Sequence, residues 1–130
     1  MAKIISLILF LFSVSFIIAQ STPIQGNKFK LEGKLISKPK LSPHCGIFAW
    51  GTVLEFKIIK YSDKTYTKDS ITIIFQCPEF YGDSFFESEK TYSITISNTN
   101  EAPFKWLIYN PELLNKYKEK FWAIEAKKIN

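Results

Sequence analysis

From Lys28 onward the apolar residues fall on every second position. Phe29, Leu31 and Leu35 alternate with Lys28, Lys30, Glu32 and Lys34, and Lys38 follows on the charged side. Ile71, Ile73, Phe75 and Cys77 share one face of a second such run. Tyr92, Ile94 and Ile96 alternate with Thr91, Ser93, Thr95 and Ser97 in a third. A period of two is the period of a strand, and a charged or hydroxylic outer face means that only the other side is buried. The pattern predicts a mainly β chain wrapped around one core.

Between these runs lies a longer stretch, Phe48 to Tyr61. Trp50, Leu54, Phe56 and Ile58 fall on one face, and Val53, Glu55, Lys57, Ile59 and Tyr61 on the other. A strand of that length is expected to bend, and Gly51 permits it. Gly33 interrupts the inner face of the first strand, where a bend or a close backbone approach is expected. Pro39 and Pro43 close that first segment. Ser62-Asp63-Lys64 supplies turn chemistry, and Pro78 ends the third strand because proline has no ladder donor. Cys77 is therefore expected as the last strand residue, facing inward.

One helix is predicted. Asn110 is a good N-cap, Pro111 suits the first helical position and Glu112 suits the positive helix start. Leu113, Tyr117 and Phe121 follow at i, i+4 and i+8, which predicts a helix to about Glu119. In residues 121–129, Trp122, Ile124 and Ala126 alternate with Ala123, Glu125 and Lys127. This reads as a fifth strand, with a continued helix as the alternative. Five strands with a short helix before the last predict a five-stranded OB-like Greek-key barrel over residues 28–130. The competing fold is an immunoglobulin-like sandwich. That fold calls for about seven strands, a wider Cys–Cys separation and no terminal helix.

Residues 1–19 read as a signal peptide. Lys3 is followed by an apolar stretch from Ile4 to Ala19 and then by polar Gln20-Ser21-Thr22-Pro23, with cleavage expected after Ala19. The apolar stretch is shorter than the ~20 residues that span a bilayer. Residues 20–27 read as a linker, and the expected location is secreted or periplasmic. One cysteine pair in an exported chain predicts one disulfide, Cys45–Cys77. His44 adjoins Cys45, but neighbours in an extended chain point to opposite sides, so it is poorly placed as a base for that thiol. A zinc site needs at least three ligands, and with one histidine and two cysteines a carboxylate must complete it. No metal and no cofactor is expected.

Following Cys77, the strand Glu89-Lys90-Thr91-Tyr92-Ser93-Ile94 is similar to the pattern in secreted netrin-like domains. These form the module shared with tissue inhibitors of metalloproteases. The resemblance spans most of residues 28–130 as an order of elements and implies an OB-type barrel. Those inhibitors also carry a processed N-terminal cysteine and several disulfides. This chain has neither pattern, so protease inhibition is not implied.

Composition narrows the function. Twelve Phe, six Tyr and three Trp are too many for a disordered tail. They concentrate in the segment Glu79 to Glu89, where Phe80, Tyr81, Phe85 and Phe86 are the candidate ligand-contact residues; aromatic loop residues are effective anchors. The alternative is that these rings plug a barrel end. Lys28, Lys30, Lys34 and Lys38 form a basic stripe, and the net charge is +5. All seventeen basic residues are lysine, however, and lysine on an outer strand face also guards against aggregation. Nucleic acid is therefore not the expected partner. Glu79 with Asp83 and Glu87 with Glu89 are candidate carboxylate pairs, but no nucleophile elbow, phosphate loop or zinc signature accompanies them. No catalytic residue is assigned. The expectation is a small exported, non-catalytic binding or structural module recognising a protein or cell-envelope component. A polyanion-binding domain is the alternative, and a small envelope hydrolase stands third.

Overall fold

The computed structural model describes residues 26–100 and 105–130. The expected leader and residues 20–25 of the expected linker lie outside them. Of that linker, Gly26 and Asn27 are described, and the Asn27 N–H donates to Asn98 Oδ1 at 3.0 Å.

Among the described residues six strands form: β1 (Lys28–Leu35), β2 (Trp50–Tyr61), β3 (Ser70–Gln76), β4 (Thr91–Ser97), β5 (Leu107–Tyr109) and β6 (Phe121–Lys128). Five close a barrel in the order β1-β4-β6-β3-β2 and back to β1, while β5 lies outside on the edge of β2. Within the barrel β3 and β6 run parallel and every other pair is antiparallel. This is the OB-like Greek-key barrel that the alternation predicted, and 121–129 joins it as a strand. The three cleanest alternating runs supply the core directly: Leu31 and Leu35, then Ile71, Ile73 and Phe75, then Tyr92, Ile94 and Ile96 are all buried.

Two bulges change the phase of the alternation. Glu32 pairs with Lys60 but Gly33 pairs with Ile58, so Ile59 is an extra residue in β2. An extra residue exchanges the faces of everything beyond it. Ile59 is accordingly 56% exposed, and Tyr61, grouped by alternation with Lys57 and Ile59, lies in the core. The bend expected at Gly33 sits at this bulge. A Cβ there would meet the Phe56 Cβ at 3.1 Å. In β6, Thr95 pairs with Glu125 and Ile96 with Ala123, leaving Ile124 as the extra residue. Phe121 and Ala123 therefore point inward, and Ile124 is exposed rather than aligned with Trp122.

The predicted helix is replaced by a 3₁₀ turn, Pro111–Lys116, and Tyr117 is already extended. Asn110 does not cap it by its side chain. Its φ is 60°, and its Nδ2 donates instead to the Lys40 carbonyl. Lys116 and Tyr117 are drawn onto Glu55 of β2, with Nζ–Oε2 and OH–Oε1 distances of 2.9 Å. Glu55 is thereby buried, paired and hydrogen-bonded, which is how a buried charge is tolerated. Residues 36–42 also lie along β2: Ser42 N–H donates to Thr52 Oγ1, and Glu55 N–H donates to Ser37 Oγ. Both faces of β2 are thus covered near Val53 and Glu55.

Aromatic rings close the two barrel ends. Phe29, Tyr61, Tyr66 and Phe121 meet edge-on at one end. Tyr81, Phe85 and Phe86 pack on Phe75 and Tyr92 at the other. The Tyr92 hydroxyl anchors this second plug. It donates to the Phe85 carbonyl at 2.6 Å and accepts from the Glu87 N–H at 2.8 Å.

Candidate functional site

The four aromatic contact candidates separate. Phe86 is 6% exposed, with ring centroids of Phe75 and Phe85 at 4.8 and 4.9 Å. Tyr81 stacks on Phe85 at 5.0 Å, and burial raises the Tyr81 hydroxyl above its usual pKa. These three rings are engaged with one another and with the core. Phe80 alone points away, 80% exposed on the 3₁₀ turn Pro78–Tyr81.

A further exposed apolar surface lies on segments the sequence did not single out as a contact site. An open groove of about 510 Å³ is lined by Gly46, Ile47, Phe48 and Ala49 on one wall and by Lys105, Trp106 and Leu107 on the other. Cys45 and Cys77 also line it. Ile47 is 95% exposed and Phe48 59%. The first wall belongs to the connection between β1 and β2, and the second to the approach into β5. Leu107 N–H donates to the Ala49 carbonyl at 2.8 Å, so the walls are tied at their base. β5 runs parallel to Trp50–Thr52 and has no second strand partner among the described residues. The one local signal was the apolar run Ile47-Phe48-Ala49-Trp50, whose first residues precede the alternation that Trp50 opens.

The disulfide fixes the first wall. Cys45 and Cys77 are bonded with Cα atoms 5.5 Å apart. Cys77 stands one residue beyond β3 rather than within it, at φ 44°, and its N–H donates to the Trp50 carbonyl. Cys45 Sγ accepts from the Trp50 N–H at 3.3 Å, and the Cys45 N–H donates to Glu79 Oε1. Glu79 Oε2 is buried with no hydrogen-bond partner. A carboxylate oxygen of Glu79 and both sulfur atoms lie within 4.8 Å of one another.

Three of the four carboxylates in the candidate pairs have other partners. Glu79 and Asp83 line one small pocket of about 130 Å³ with His44, yet Glu79 holds the disulfide loop through Cys45. Glu87 pairs with Lys128 at 2.8 Å, and that hydrogen bond lowers its pKa. Glu89 pairs with Lys34 at 2.7 Å. The lysine stripe is divided as well. Lys28, Lys30 and Lys34 lie along β1, with Lys34 engaged by Glu89, while Lys38 lies beyond the strand. None of these lysines lines the groove, where Lys105 is the cation. No described helix is long and apolar enough to cross a membrane. Comparison with protein-family models, with curated proteins and with solved structures finds no match to the chain.

Proposed function

We propose that the protein is a small exported, non-catalytic binding module that grips an apolar, aromatic-bearing segment of a protein partner in the groove between residues 45–49 and 105–107. The exposure of Ile47 and Phe48 on a loop pinned by a disulfide carries this reading. Large apolar side chains held rigidly in water lose little further freedom on binding, so their burial is converted to affinity efficiently. The position agrees with the fold. In OB barrels the loops between strands 1 and 2 and between strands 4 and 5 are the usual ligand grips, and the two walls stand on those connections. That agreement is one of fold analogy and supports the position of the grip. The apolar lining with one lysine favours a protein segment over a polyanion, which calls for several cations along the contact.

Peptide display against the purified protein tests the proposal. Selected sequences are expected to be rich in Phe, Trp, Leu or Ile and to shift the amide resonances of Ile47, Phe48 and Leu107. Enrichment of acidic peptides, or shifts confined to the lysines of β1, would favour the polyanion reading. The exported state has its own test. Protein recovered from the native cell envelope should have a mass beginning near Gln20.

A further inference from the structure

Three ligand atoms of metal-binding type already converge at the disulfide that borders the groove. They are Cys45 Sγ, Cys77 Sγ and a carboxylate oxygen of Glu79, all within 4.8 Å of one another. In the oxidised chain the two sulfurs satisfy each other, and the buried Glu79 Oε2 has no hydrogen-bond partner. Burying a carboxylate oxygen without a partner is costly, and a cation beside it would offset that cost.

We propose that reduction of the Cys45–Cys77 bond converts this corner into a thiolate–carboxylate site for a zinc-class divalent cation. The conversion balances in two steps. Two equivalents of a thiol reductant supply two electrons and two protons; the sulfur–sulfur bond breaks, Cys45 and Cys77 become thiols, and the reductant leaves as its disulfide. Binding of the divalent ion then displaces one proton from each thiol, and two thiolates and the Glu79 carboxylate coordinate it.

The surroundings meet the requirements of such a site. Two cysteine sulfurs and one carboxylate oxygen are accepted zinc ligands, and three protein ligands leave the fourth position open. Soft thiolates select zinc over magnesium or calcium. Supporting contacts are in place around the ligands. Trp50 N–H donates to Cys45 Sγ at 3.3 Å, which favours the thiolate, and Cys45 N–H orients Glu79 through Oε1. Both cysteines line the open groove, which gives the reductant and the ion a path in. The backbone bond from Cys77 N–H to the Trp50 carbonyl, 2.9 Å, holds the base of the corner independently of the disulfide. A bound ion would bridge the same two cysteines and close the same ring of chain. The metal would thus take over the mechanical role of the disulfide under reducing conditions.

Anaerobic titration of the reduced protein with cobalt(II), as a spectroscopic stand-in for zinc, tests this inference. The expected result is one equivalent bound with thiolate-to-cobalt charge-transfer absorption and tetrahedral-type visible bands, displaced by zinc. Both thiols should become protected from alkylation. The oxidised protein should show none of this. Glu79→Gln should weaken cobalt binding roughly tenfold or more, and Cys45→Ser, which keeps Glu79, should lose most of the charge-transfer intensity. Zinc should also raise the melting temperature of the reduced protein and not that of the oxidised protein. The inference is overturned if the reduced chain gives no such spectrum, or if Glu79→Gln binds with unchanged affinity and bands. It is equally overturned if the reduced chain unfolds and zinc does not restore its circular dichroism.

Discussion

Replacing Phe86 by alanine separates a structural plug from a contact surface. The Phe86 ring is 6% exposed and meets Phe75, Phe85, Tyr81 and Tyr92 with centroids 4.8–6.2 Å away. Those neighbours are themselves held by the strands and by the Tyr92 hydroxyl, so the space left by the ring cannot close. A buried Phe→Ala change at such a site costs about 3–5 kcal/mol. For a domain near 100 residues each kcal/mol moves the melting temperature by about 4–8 °C, so a fall of about 20 °C is expected. Phe80, 80% exposed one residue before Tyr81, provides the internal control. Phe80→Ala should change stability by less than about 0.5 kcal/mol. Urea and thermal melts of the two variants, followed by circular dichroism, decide the matter. A Phe86→Ala chain within about 1 kcal/mol of the parent would refute the plug and return the aromatic segment to the list of contact surfaces.

Three other perturbations have signed outcomes. Tyr92→Phe removes the donor to the Phe85 carbonyl and the acceptor for the Glu87 N–H; a loss of about 1–3 kcal/mol in urea is expected, with faster hydrogen exchange at Glu87. The Cys45→Ser/Cys77→Ser double variant opens a ring spanning 32 positions. The chain-entropy relation gives a loss of about 3.7 kcal/mol, measured as a shift in denaturant midpoint. At alkaline pH, burial pushes the Tyr66 hydroxyl from 10.0 up to about 12, with Tyr117 and Glu119 adding to the rise. The unfolded chain releases that proton from about pH 10 while the folded chain keeps it, so stability must fall between pH 10 and pH 12. Tyr66→Phe should flatten part of that fall in pH-dependent urea melts. Tyr61, raised further by burial and by Asp63, adds to the fall.

The strands were legible wherever one face is wet and one dry, because burial then writes itself as alternation. Ile71-Ile73-Phe75 and Tyr92-Ile94-Ile96 are read and found alike. The errors trace to non-local causes. Ile59 and Ile124 each shift the phase by one residue, and a bulge is set by the partner strand rather than by its own sequence. Leu113, Tyr117 and Phe121 have helical spacing, yet Tyr117 is taken by Glu55 and Phe121 by the barrel, so the coincidence of spacing carried no helix. β5 is three residues long and exists through its pairing with β2. The candidate site failed to show for a similar reason. Phe85 and Phe86 look as available in sequence as Ile47 and Phe48. Which pair is covered depends on Phe75 and Tyr92, from strands on either side of the loop. The Cys45–Cys77 pair was legible because it needed only a count, and the carboxylate beside it was not, because its position depends on the turn after β3.

The groove is the center of the functional account, and one affinity comparison tests it most directly. Calorimetry would compare the tightest display-selected peptide on the parent chain and on Phe48→Ser. Phe48 is 59% exposed, so the substitution should leave the melting temperature unchanged. As an anchor residue it should weaken binding by about 2 kcal/mol or more, roughly thirtyfold. Affinity retained within about threefold by Phe48→Ser, but lost in Phe80→Ser, would contradict the assignment and place the contact on the aromatic turn instead.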